Sequence, residues 1–307
     1  MSGTPETKYK VHSTSTLKKI KDDGTPNTTV KKVKVVKLLY LLFWVTGENG
    51  DPMYRTAPQT RMDNIRKSKN YDKNIHKVLT IEIEDISVIL DKIPGYIERF
   101  GGKDNVKIKE VSIHSHAGQD GPIGSVDVRE QYRFPNPSEF GQMMQSGWAS
   151  IDFNWSENCP RFIVYGCDSA LTHPSEDHPN QDPKTIKNFA YDISKLSNFK
   201  NVEVWGQSTK SAPSYLPDYR ITSIARDVYS FHGEFVAADW KMFPTYQIAA
   251  HLGGGKKATY VLENVDPPES LLKNLDKAEP MNCYKNGELV MSVNQGYFND
   301  HRKQGTL

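Results

Sequence analysis

At 307 residues the chain is long enough for one large domain or two modest ones. Its 39 Lys and Arg stand against 37 Asp and Glu, so the molecule as a whole carries no strong field for a polyanion, and nucleic acid is not an expected partner. Three cysteines (Cys159, Cys167 and Cys283) are too few, and odd in number, for a disulfide-stapled scaffold, so at least one thiol is free.

Residues 1–32 read as a basic arm. Up to residue 40 there are nine lysines against the acids Glu6, Asp22 and Asp23, a Thr- and Lys-rich lead-in that is usually just solvated. The longest apolar run, "VVKLLYLLFWV", is eleven residues interrupted by Lys37, well short of the roughly 18 needed to span a bilayer. Polar sequence precedes it and no small-residue cleavage site follows, so it reads as a buried strand and not as a secretory signal. The expected location is the cytoplasm of the producing cell, with delivery by a specialised secretion machine left open.

From residue 33 to about 210, strand and helix patterns alternate. "VKVVKLLYLLFWV" (33–45) is continuous in apolar residues, as in a strand covered on both faces. "KVLTIEI" (77–83) is the second strand. "DISVILDKIPGYIERFGG" puts Ile86, Ile89, Leu90, Ile93, Ile97 and Phe100 on one helical face, with Asp85 as N-cap, Gly101-Gly102 as the stop and an expected kink or split at Pro94-Gly95. "VKIKEVSIH" (106–114) and "RFIVYGC" (161–167) are the third and fourth strands. Next comes a helix in "DPKTIKNFAYDISKLS", capped by Asp182 with Pro183 in its first turn, and "VEVWG" (202–206) closes the series. The alternation predicts an α/β fold, a mainly parallel sheet flanked by helices over residues 33–240. A small, partly β extension covers 241–307, with "ATYVLENV" as a candidate strand and Asn286-Gly287 as a hairpin turn in "CYKNGELVMSV".

Reactive groups of an open parallel sheet collect outside the carboxyl ends of its strands. His114 and His116 lie where the third strand runs into "AGQDGPIG", and Cys167 lies where the fourth runs into "DSALTHP". If those strands are neighbours, about 4.8 Å apart, an imidazole and a thiol meet over one sheet edge. A thiol with a pKa near 8.5 is mostly protonated at neutral pH, so a nearby imidazole that takes its proton makes a nucleophile, and the same imidazole can return the proton to a leaving group. Gly118 and Gly121 let backbone N–H groups approach an oxyanion, and the N–H of Cys167 is a second donor. His173 and His178 belong to a polar loop, and Trp148, Trp155, Trp205 and Trp240 read as core or lid.

"SIHSHAG", "RFIVYGCDSA", "FAYDI" and "VEVWGQST", in that order, resemble the caspase-like (clan CD) cysteine hydrolases, in which a His-Gly turn ends one strand and a Cys ends the next. "NWSENCPRFIVYGCDSA" and "VEVWGQSTKSAPSY" are also similar to type VI secretion-linked bacterial effector toxins, over residues 75–240. Ala117 stands where the caspase-like pattern has Gly, and no acidic pocket signature is present. The resemblance implies Cys167 as nucleophile, His116 as its base, His114 as a supporting group or alternative base, and Asp168 and Gln207 near the cleft. It implies a peptidase or amidase without a cofactor, acting on protein or peptidoglycan as an antibacterial effector, with a secretion apparatus and a cognate immunity protein as partners. Two alternatives stand beside it. One is a caspase-like binding module without chemistry; the other is a zinc hydrolase built on His114, His116, Asp120 and Cys167.

Overall fold

The computed structural model describes residues 36–47, 51–136, 140–172, 186–208, 281–293 and 298, together with short strands at 18–20, 26–28, 236–237 and 249–250. Two compact units divide the chain, Met1–Val36 and Lys37–Leu307. In the first, β1 (Lys18–Ile20) and β2 (Pro26–Thr28) form an antiparallel pair with Lys18 opposite Thr28.

In the second unit the elements run β3 (Lys37–Val45), α1 (Asp51–Arg66), β4 (His76–Ile83), α2 (Ile89–Phe100), β5 (Val106–His114), β6 (His116–Gly118), β7 (Gly121–Ile123) and α3 (Gln145–Ala149). They continue with β8 (Arg161–Tyr165), α4 (Phe189–Ser194), β9 (Glu203–Gln207), the short pair β10 (Val236–Ala237) and β11 (Ala249–Ala250), then β12 (Met281–Lys285) and β13 (Glu288–Val293). The seven-stranded central sheet has the order β13-β12-β9-β8-β5-β3-β4. Its five strands from β9 to β4 are parallel, and the β12–β13 hairpin adds antiparallel strands at one edge. This is the α/β class that the alternating pattern predicts.

β3 shows why its sequence is apolar throughout. Leu39, Leu41, Phe43 and Val45 enter the large core beneath α2, whereas Tyr40 and Leu42 pack with Met62 and Ile65 of α1 on the opposite face. α2 buries Ile89, Ile93 and Ile97, each contributing about 1.5–3 kcal/mol by burial. Trp148 of α3 and Phe189, Ala190 and Ile193 of α4 complete that core.

Several local expectations change. Asp85 does cap, but it caps a 3-10 turn at Ile86–Val88, and α2 starts beyond it. The helix is not split at Pro94 and runs on to Phe100; Pro94 and Gly95 lie on its exposed side, where water can reach the carbonyl that loses its partner. β8 ends at Tyr165, leaving Cys167 in the turn after the strand. Residues 186–188 are not helical; Asn188 caps α4 by accepting from the Tyr191 N–H, and Asp182 and Pro183 lie outside the described residues. The candidate strand at 258–265, His173, His178 and Trp240 also lie outside them. At the far edge, Asn286 (φ 52°) and Gly287 (φ 81°) turn the β12–β13 hairpin as expected.

The sequence pattern hides α1. Its inward positions include Tyr54, Ala57, Arg61, Met62 and Ile65, so the apolar period is interrupted by an arginine, and Pro58 lies within the helix. Arg61 is fully buried and pairs with the equally buried Glu110 of β5, Nε to Oε1 at 2.8 Å and Nη2 to Oε2 at 2.5 Å. Its Nη1 and the Asn64 Nδ2 donate to the Phe298 carbonyl at 3.3 and 2.7 Å, while the Phe298 ring lies against Arg61, Arg161 and Trp205.

Burial pushes the Glu110 carboxyl up, but Arg61, with Arg161 and Lys109, outweighs it and holds the group below its ordinary range. A depressed carboxylate contributes stability above its unfolded pKa of about 4.3 and loses it as pH falls through the folded value. Arg61→Met strips buried Glu110 of its paired hydrogen bonds and leaves it only the longer contact to Arg161 at 3.8 Å, and should cost up to about 3–5 kcal/mol, read as a lower urea midpoint near neutral pH. The gap from wild type should narrow as the medium is acidified, because the less well compensated carboxyl then takes a proton.

Candidate active site

β5 and β8 are parallel neighbours, with His114 opposite Tyr165. Two residues past that rung on each chain stand His116 and Cys167. Between them, Gly166 sets how closely the two chain segments approach. A Cβ at 166 would lie 2.5 Å from the Ala117 Cβ and 2.8 Å from the Ser115 carbonyl oxygen, so only glycine lets the turn carrying Cys167 sit against the turn carrying His116.

His114 and His116 differ in environment. His114 is fully buried; its Nδ1 donates to the Phe43 carbonyl at 3.1 Å, and its ring stacks on Tyr165 with centroids 4.4 Å apart. His116 is exposed and opens the short hairpin of β6 and β7, in which Ala117 pairs with Pro122 and Gly118 with Gly121. Gly121 (φ 118°) backs onto Phe189, where a Cβ would come within 2.6 Å of the ring.

A residue absent from the sequence reading joins the two sides. Tyr54 of α1, 5% exposed, meets the His116 ring edge-on with centroids 5.4 Å apart and planes at 77°, an aromatic geometry worth about 0.5–1.5 kcal/mol. Burial raises the Tyr54 phenol well above its ordinary value, and the charge of Cys167 raises it further. Tyr54 and His116 also line a cleft of about 420 Å³, with Val45, Ile123, Val126 and Glu84. The tip of the same hairpin, Gln119 and Asp120, lines a second cleft of about 380 Å³ floored by Met143, Trp148 and Phe189.

The turn after Cys167 is pinned from three directions. Asp168 takes a left-handed backbone (φ 55°), and the Ser169 hydroxyl donates to the Gly166 carbonyl at 3.2 Å and accepts from the Gln207 N–H at 3.1 Å. The Ala170 N–H donates to the Gln207 carbonyl at 2.8 Å, while Asn282 and Asn188 hold the carbonyls of Ala170 and Leu171 at 3.0 and 2.9 Å. Gln207 therefore meets this turn through its backbone, at the end of β9. Ser169, Asn188 and Asn282 carry no sequence signal, since single polar residues far apart in the chain form no motif.

The three cysteines separate by environment. Cys283 is buried beside Trp205 and Met281, and burial pushes its thiol up to about 12, which keeps it inert. Cys159 is exposed and its carbonyl accepts from the buried Lys109 ammonium at 3.0 Å; Cys167 is part-exposed. Among the described residues no three His, Cys, Asp or Glu side chains gather at metal-ligand spacing, so His114, His116, Asp120 and Cys167 do not form the zinc set considered above.

Gly166→Ala forces a Cβ into the 115–117 backbone. Overpacking of this kind costs about 1–3 kcal/mol, so a thermal melt should show a lower Tm, and peptide-resolved alkylation should show altered Cys167 reactivity with Cys159 unchanged.

No family model and no curated protein matches the chain. A solved structure similar to it is the X-ray structure of a secreted C11 cysteine protease from Bacteroides thetaiotaomicron in complex with an irreversible peptide inhibitor. The likeness has a TM-score of 0.38 at 9% identity and covers 82% of this chain and 66% of that one. A likeness this slight carries no assignment of activity or substrate.

Proposed function

We propose that the chain is a cysteine-dependent hydrolase, a peptidase or amidase, with Cys167 as nucleophile and His116 as general base and then acid. What supports this most is the approach at Gly166, which brings the turn carrying part-exposed Cys167 against the turn carrying exposed His116, both outside the carboxyl ends of neighbouring parallel strands. His114, tied to Phe43 and Tyr165, is the supporting group.

In the reaction, His116 takes the Cys167 proton and the thiolate attacks the scissile carbonyl carbon. The oxyanion meets the N–H groups of Cys167 and Gly118, while Asp168, next to the nucleophile, and Gln207, whose backbone bonds Ser169 and Ala170, hold the cysteine turn. The tetrahedral species collapses as the C–N bond breaks and His116 returns the proton to the leaving amine. Water, deprotonated by the same imidazole, hydrolyses the thioester. None of these steps calls on a cofactor.

The role we propose is that of an antibacterial effector delivered into competing cells, cutting protein or peptidoglycan, with a secretion apparatus and a cleft-blocking immunity protein as partners. Its support is the resemblance of "NWSENCPRFIVYGCDSA" and "VEVWGQSTKSAPSY" to such toxins. Among the described residues no helix is long and apolar enough to cross a membrane.

Two measurements test the chemistry. Iodoacetamide labelling resolved by peptide mass spectrometry should modify Cys167 ahead of Cys159 and leave Cys283 untouched in the folded protein; equal rates at Cys167 and Cys283 would falsify the nucleophile. Hydrolysis of a peptide library and of purified peptidoglycan should vanish in Cys167→Ala and fall about 10²–10⁴-fold in His116→Ala, with melting curves unchanged.

A further inference from the structure

His116 is exposed and stands on a three-residue strand of a two-stranded hairpin, beyond the central sheet. A side chain so placed keeps its rotamer freedom unless something packs against the ring. The packing partner comes from α1, and its chemistry is suited to holding a ring and not to exchanging a proton. We propose that Tyr54 is a positioning residue of the Cys167–His116 pair, bracing the imidazole edge-on so that it stays turned toward the sulfur. This inference rests on the hydrolase reading above.

Three observations carry it. The Tyr54 ring meets the His116 ring at 5.4 Å and 77°, so the positive edge of one ring faces the π-cloud of the other and resists rotation of the imidazole. Tyr54 is itself held firmly: it is 5% exposed and lies seven residues, about two helical turns, before Arg61 on the same side of α1. Arg61 is locked by Glu110 and by the Phe298 carbonyl. Finally, Tyr54 lines the 420 Å³ cleft beside His116, so the brace sits at the wall a substrate would meet. Burial and the charge of Cys167 keep the phenol protonated, so Tyr54 does not compete with His116 for the thiol proton. Among the described residues, the other ionisable side chain lining this cleft is Glu84, which every variant below retains.

The readout is the pH dependence of Cys167 alkylation by iodoacetamide, followed on the Cys167 peptide, in the full chain. In wild type the thiolate should persist well below the free-thiol pKa of about 8.5, and in His116→Ala the inflection should move up to that value. Tyr54→Leu should reproduce the His116→Ala shift, with labelling near neutral pH reduced about tenfold, and Tyr54→Phe, which keeps the ring, should stay within about threefold of wild type. Tyr54→Met supplies the same test through a flexible apolar side chain should the leucine variant fail to fold. A Tyr54→Leu or Tyr54→Met profile that overlays wild type, while His116→Ala shifts, removes the brace and leaves the hydrolase reading standing. A His116→Ala profile that overlays wild type removes the pair itself, and the brace with it. A Tyr54→Phe profile as shifted as Tyr54→Leu also overturns the proposal, because the hydroxyl and not the ring edge would then be the operative group.

Discussion

The parallel pairing of β5 with β8 is the constraint on which the candidate site depends. Parallel strands place equivalent ends at the same rim, so once His114 lies opposite Tyr165, whatever follows each of them must emerge side by side. Gly166 then removes the one side chain that would hold the two emerging turns apart. The geometry is inherited from the sheet and does not rely on a long loop finding its place. The cysteine turn is fastened in turn to β9, β12 and the cap of α4, so the thiol is carried by the rigid part of the molecule.

A second layer of organisation lies on the α1 face. Burying Arg61 and Glu110 removes two charges from water, and the desolvation is offset chiefly because the guanidinium and carboxylate meet through paired hydrogen bonds, with Arg161 adding a longer contact. The pair orients α1 against β5, and Phe298 closes over it with its carbonyl and ring. The same helix carries Tyr54 to His116, so a buried ion pair that touches no reacting group bears on the placement of the imidazole. Geometry at the rim is thus set from both faces of the sheet: the core beneath α2 fixes the strands, and α1 fixes the histidine.

Legibility from sequence followed the strength of local pattern. β4 and β5 read clearly, because apolar and polar residues alternate along much of each sequence, a period that a helix does not produce. The apolar face of α2 was legible, whereas its 3-10 start and its passage through Pro94 were not, since both depend on what the solvated side tolerates. α1 was illegible for the opposite reason: at Arg61 the position facing the sheet holds a charge whose partner is 49 residues away. Asn188 in place of Asp182 as the cap of α4 is a choice between two capping residues that local chemistry alone does not separate.

By itself, the sequence determined the α/β class, the succession of strands, and the candidates at their ends: two histidines, one cysteine and the glycines beside them. These follow from residue type and near-neighbour spacing, which act over a few residues. Only the tertiary structure decided which strands adjoin, that His114 is enclosed while His116 is open, that Cys283 is sealed in the core, and that Tyr54 joins the cleft. Each of those outcomes depends on contacts between segments far apart in the chain, and the energy of such contacts is invisible until the segments have met.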